Sequence, residues 1–99
     1  MATLYVSEFG DLAIGRAQAM NFPPLRTQTV AIGGTSEKTA LGFTENTRMV
    51  RVHTDAICSI MVGPLASVTA AATDPRMAAD QTEYFGVRPG DGIAVITNT

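Results

Sequence analysis

The sequence predicts an all-β domain, a small β-sandwich of jelly-roll or Greek-key type with an extended arm, and three observations carry that prediction. Short runs rich in Val, Ile, Thr and aromatic residues recur along the chain with almost no 3.6-residue periodicity. Clusters of Gly, Pro, Asp and Ser separate them. The 99 residues leave room for a single domain, and short strands in that space close into a sandwich or a partly open barrel.

Residues 3–7 (TLYVS) form the first predicted strand. Residues 8–26 (EFGDLAIGRAQAMNFPPLR) open with turn formers and end in Phe22-Pro23-Pro24-Leu25, where two prolines impose an extended path without backbone donors, so this stretch reads as an irregular arm or long loop. Runs 27–32 and 38–43 flank GGTSE at 33–37, which reads as a hairpin connection whose glycines supply positive φ. Runs 48–54 and 56–62 meet at a Thr54-Asp55 corner. Residues 63–73 (GPLASVTAAAT) are small and weakly hydrophobic and read as a mobile loop. Asp74-Pro75 opens either one helical turn through Met77 to Asp80 or a short strand at 76–79. Runs 82–87 and 92–97 complete the set, joined by RPGD, with Pro89 at the first corner position and Gly90 at the left-handed one.

Composition narrows the function classes. A hydrophobic content of 45% with 16% charged residues is apolar for a chain this short, which buries only about 60–65% of its unfolded surface. Part of that apolar material is therefore expected to meet another protein or further copies of the chain. The net charge is −2, and the basic residues Arg16, Arg26, Lys38, Arg48, Arg51, Arg76 and Arg88 are scattered. Direct nucleic-acid binding, which needs clustered cations to displace counterions, is not expected. One cysteine cannot form an internal disulfide. No window approaches the roughly 20 apolar residues of a membrane helix, and MATLYVSEFGD lacks the basic and apolar regions of a secretory signal. The expectation is a soluble protein made in the cytoplasm.

The stretch RMVRVHTDAICSIMVG, 48–63, holds the single histidine and single cysteine. Along a continuous strand, residues an odd number apart face opposite ways, so His53 and Cys58 do not meet. Val50 and Val52 point to the core, Arg51 and His53 with Asp55 form a polar face, and Cys58 lies in line with Ile60 and Val62 as a small buried hydrophobe. Only a bulge at Thr54-Asp55 would reset that parity into a Cys–His pair. Zinc needs three or four ligands, more than one His and one Cys supply. FGVRPGDGIAVI has the strand–corner–strand cadence of cupin-type barrels without their paired histidines. IGGTSEK lacks the spacing of a phosphate-binding loop, and Asp80 and Glu83 lie on opposite faces of an extended run. No catalytic residue, metal or cofactor is expected. Tyr84 and Phe85 also face opposite ways, which makes one core and the other an exposed interface anchor.

Taken in order, RMVRVHTDAICSI and RMAADQTEYFGVRPGDGIAVI resemble a group of small tailed-bacteriophage proteins encoded among virion structural genes. The resemblance covers nearly the whole chain and is strongest from residue 48 onward. RVHTDAICS and QTEYFGV are its most specific stretches, while the GDGIAVI cadence recurs in many β-rich phage head proteins. It implies a virion accessory protein, a capsid decoration or cement protein on the outer capsid surface, with the major capsid protein as partner and self-association into dimers or trimers. The arm is then the expected clamp on that lattice, through Met20, Phe22, Pro23, Pro24, Leu25 and Arg26, with Tyr84 as a further anchor. A carbohydrate-binding or host-attachment module of the virion, and a head–tail or tail component, are the alternatives.

Overall fold

The computed structural model describes residues 2–10 and 23–98. They form eight strands: β1 (Thr3–Phe9), β2 (Arg26–Ala31), β3 (Glu37–Lys38), β4 (Met49–Thr54), β5 (Cys58–Pro64), β6 (Arg76–Met77), β7 (Thr82–Gly86) and β8 (Asp91–Thr97). There is no helix among the described residues. Two antiparallel four-stranded sheets result, one ordered β2-β1-β4-β7 and the other β3-β8-β5-β6.

Alternation decides which face each strand buries. In β4, Val50, Val52 and Thr54 are buried while Met49, Arg51 and His53 are only half-buried, the period-2 pattern of a sheet with one dry face. Leu4, Val6, Val30, Val50 and Val52 of the first sheet share one core with Cys58, Ile60, Met77, Ile93 and Val95 of the second. The sheets therefore face each other in a sandwich-like pair. Each such side chain contributes about 1.5–3 kcal/mol on burial.

Four connections differ from the sequence expectation. GGTSE is not a hairpin: β2 pairs with β1 and β3 with β8, so the chain crosses from one sheet to the other there. Ile32 drops into the core and Gly33 accepts the Thr97 N–H at 2.9 Å, which turns the chain over the sandwich rim. Among the described glycines the positive φ belongs to Gly90 alone, at 85°, as expected of the RPGD corner. The run expected at 38–43 is a strand only at its start. Beyond Thr39, whose N–H still bonds Ile93 at 3.0 Å, residues 40–42 bulge toward β2. There Gln28 pairs with both the N–H and the C=O of Leu41, each at 3.1 Å, and Arg26 donates to Gly42 at 2.9 Å.

The bounds 8–26 expected for the arm hold at neither end, and residues 11–22 lie outside the described residues. Glu8 and Phe9 are buried members of β1, and Arg26 opens β2. Glu8 is held by three donors: Thr44 N–H at 2.8 Å, Thr47 Oγ1 at 2.9 Å and Gln28 Nε2 at 3.1 Å. Gly63 and Pro64 extend β5, and residues 65–75 are a pinned cover and not a free loop. Val68 and Ala70 pack on Ala94, with Ile96 against them, on the outer side of the second sheet. Ser36 accepts the Ala70 N–H at 2.9 Å, and Asn98 donates to Ala72 at 3.1 Å and to Ser59 at 2.7 Å. Residues 76–77 form a short strand, so of the two readings of that segment the extended one is found.

Candidate interaction face

Residues 65–75 cover part of the outer side of the second sheet, while on the outer side of β2-β1-β4-β7 Tyr5 and Tyr84 are exposed and Phe9, of the same parity, is buried. The registers align its outward side chains into two rows, Thr29–Tyr5–His53–Thr82 and Thr27–Ser7–Arg51–Tyr84, each crossing all four strands. Tyr5 is 45% exposed and Tyr84 56%. His53 Nδ1 lies 2.8 Å from Thr82 Oγ1, and its ring centroid is 6.3 Å from that of Tyr5, tilted by 42°. That bond and that contact hold the imidazole between β1 and β7. Beside them is an open groove of about 340 Å³ bounded by Tyr5, Ser7, Thr27, Thr29, Arg51 and His53.

No carboxylate belongs to either row, although the chain carries nine Asp and Glu. Two tyrosines and one arginine, the residue types that dominate binding energy at interfaces, stand here with one imidazole among the hydroxyls of Ser7, Thr27, Thr29 and Thr82. The groups can donate to and accept from a partner without desolvating a carboxylate.

No known protein family, no curated protein and no solved structure matches the chain.

The expected site residues do not gather in one place. Met20 and Phe22 lie outside the described residues. Pro23 is exposed and Pro24 half-buried. Leu25 is 50% exposed, its N–H donating to Glu8 O at 2.7 Å, and Arg26 is tied to Gly42. All four stand at the β2 edge, whereas Tyr84 is on β7 at the opposite edge. Arg51 and His53 face outward together as parity requires. Asp55 does not join them: it lies past the end of β4, where its Oδ1 accepts the Thr3 N–H at 2.7 Å. Tyr5, Ser7, Thr27, Thr29 and Thr82 were not legible as members of the face. Their alternation was visible, but their adjacency depends on strand order.

Cys58 and His53 belong to different sheets, His53 facing outward and Cys58 inward. Burial pushes the Cys58 thiol above its ordinary 9.0, a contact with Thr54 Oγ1 at 3.5 Å opposes that shift, and the Asp55 charge adds to it. Two consequences are expected. The thiol should resist alkylation at pH 8 in the folded protein and react within minutes in denaturant. Because the folded thiol holds its proton more tightly, the unfolded chain loses protons first, so stability should fall as pH rises above about 9. Thiol labelling and urea unfolding from pH 7 to 10 measure both, and rapid native labelling would contradict the buried placement.

Proposed function

We propose that the chain is a virion accessory protein of a tailed bacteriophage, a decoration module that binds the outer surface of the major capsid protein lattice and stabilises the head. The observation that carries this is the open, carboxylate-free face with Tyr5, Arg51, His53 and Tyr84 on an otherwise acidic chain. A four-stranded surface with anchors spread across it suits a repeating protein lattice, where many weak copies add up. The resemblance to virion proteins, which covers nearly the whole chain and is strongest from residue 48 onward, points to the same partner.

The strand orders support a jelly roll as the finer form of the sandwich. Stacked position by position, the two orders would set β2 on β3, β1 on β8, β4 on β5 and β7 on β6. Three of those four stacks join consecutive strands across a corner, the wrapped-ribbon arrangement of a jelly roll. A second reading, a glycan-binding module, is favoured by the groove beside Tyr5, whose hydroxyls and aromatic ring suit a sugar.

Adding the purified protein to capsids that lack it, then heating, tests the first reading. The rupture temperature should rise, and Arg51→Ala should weaken capsid binding about tenfold or more. An unchanged rupture temperature overturns cementing. Binding to a glycan array with no affinity for capsids would transfer the face to the second reading.

A further inference from the structure

The two edges of the first sheet differ. In the β4–β7 ladder the Val87 N–H bonds Arg48 O at 2.9 Å and the Thr54 N–H bonds Gln81 O at 3.1 Å. Antiparallel ladders alternate bonded and non-bonded pairs. Residues 81, 83, 85 and 87 therefore spend their backbone groups on β4, and Thr82, Tyr84 and Gly86 turn theirs outward. No described residue takes up those three N–H and three C=O groups. At the other edge, loop 40–42 runs beside β2, fastened by Gln28 and Arg26, and exposed Leu41 projects there. β3 and β6, the edges of the second sheet, are two residues each.

We propose that β7 pairs antiparallel with β7 of a second copy, joining two first sheets into one eight-stranded sheet. The edge is self-complementary about Tyr84. With Tyr84 opposite Tyr84 of the second copy, Thr82 faces Gly86 and Gly86 faces Thr82, so all three outward residues of each strand fall in bonded pairs. Six backbone hydrogen bonds close the seam. Glu83 then sits opposite Phe85 and not opposite another carboxylate, which avoids a directly facing like-charge pair. The two Tyr84 rings stand as an aromatic cross-strand pair on the same side as Arg51, so dimerisation doubles the open face into one continuous surface. An isologous two-fold contact of this kind closes on itself and does not propagate into fibres. β7 carries neither Pro nor Lys nor a bulge, and its one charged residue, Glu83, lies opposite core-facing Val52 and not on the outward rows.

The pairing is tested without any capsid, so its failure is distinct from failure of the proposed function. Sedimentation of the purified chain should show a dimer. Tyr84→Pro removes an outward N–H without touching the β4 ladder, and it should weaken self-association at least about 30-fold. Tyr84→Lys supplies the same outcome should the proline variant fold poorly. Register is read by cysteine cross-linking, because bonded antiparallel pairs place Cα atoms about 5.5 Å apart, within disulfide range. Under oxidation Tyr84→Cys should give a covalent dimer while Thr82→Cys alone should not; native Cys58 is buried. A monomeric wild type, or cross-linking through Thr29→Cys on β2 in preference to Tyr84→Cys, overturns the proposal.

Discussion

Replacing Glu8 with Ala is expected to lower the unfolding free energy by about 3–5 kcal/mol. The side chain is fully buried and accepts from Thr44 N–H, Thr47 Oγ1 and Gln28 Nε2. Truncation leaves the Thr44 N–H and one Gln28 N–H without their acceptor, leaves the Thr47 hydroxyl only Thr44 Oγ1, and opens a void at the end of β1. The loss spreads further, because Gln28 also holds Leu41, and Thr47 is 2.6 Å from Thr44 Oγ1. Glu8→Gln should cost roughly half as much. Its amide oxygen can still receive Thr44 and Thr47, but its NH2 would meet the Gln28 NH2, and Gln28 cannot turn over without breaking both bonds to Leu41. Urea unfolding of the three proteins measures the ordering. A Glu8→Ala loss below about 1 kcal/mol would show that the network contributes little.

Glu8 also marks where sequence reasoning stops. A glutamate followed by Phe and Gly resembles the start of a loop, and the three donors that keep it in a strand come from 20, 36 and 39 residues away. The same limit explains GGTSE. Two strand-like runs around a glycine-rich turn are what a hairpin and a sheet-to-sheet corner both look like, and only the preference of residues 37–38 for β8 separates them. By contrast RMVRVHT was readable in full, because alternation is local: Val50 and Val52 are in the core, Arg51 and His53 face outward. RPGD was readable because Gly90 answers to its own φ. For the face, Tyr84 was legible as exposed and His53 as outward. That Tyr5 lies beside His53 needed the β1–β4 register, a fact about two segments nearly fifty residues apart.

The covered and open faces have different consequences for binding. Residues 65–75 set Val68 and Ala70 against Ala94 on the outer side of the second sheet, where Met61, opposite Ala94, stays 37% exposed. On the first sheet Tyr5 and Tyr84 are exposed, whereas Phe9, of the same parity, is buried. Its outward rows are too polar to seek a core and too aromatic to be explained by solvation alone. Joined through β7, two copies would present eight strands with four tyrosines in one surface.

Adjacent residues on β1 should separate folding from binding. Leu4→Ala is expected to cost about 2–5 kcal/mol, since Leu4 is fully buried in the shared core, paired with Val30 and Thr54, and a lost isobutyl group leaves a cavity. Tyr5→Ala, one position along the same backbone, should change stability by no more than about 1 kcal/mol, because its ring lies on the outer face with a single ring contact to His53. Binding should show the reverse. At a temperature where both variants remain folded, Leu4→Ala should bind capsids as the parent does, while Tyr5→Ala should bind about tenfold more weakly. The contrast rests on side-chain parity alone: Cα atoms 3.8 Å apart address the core and the partner respectively. Equal binding by both variants would move the partner contact off this face, and a large stability loss from Tyr5→Ala would mean that its ring serves the fold.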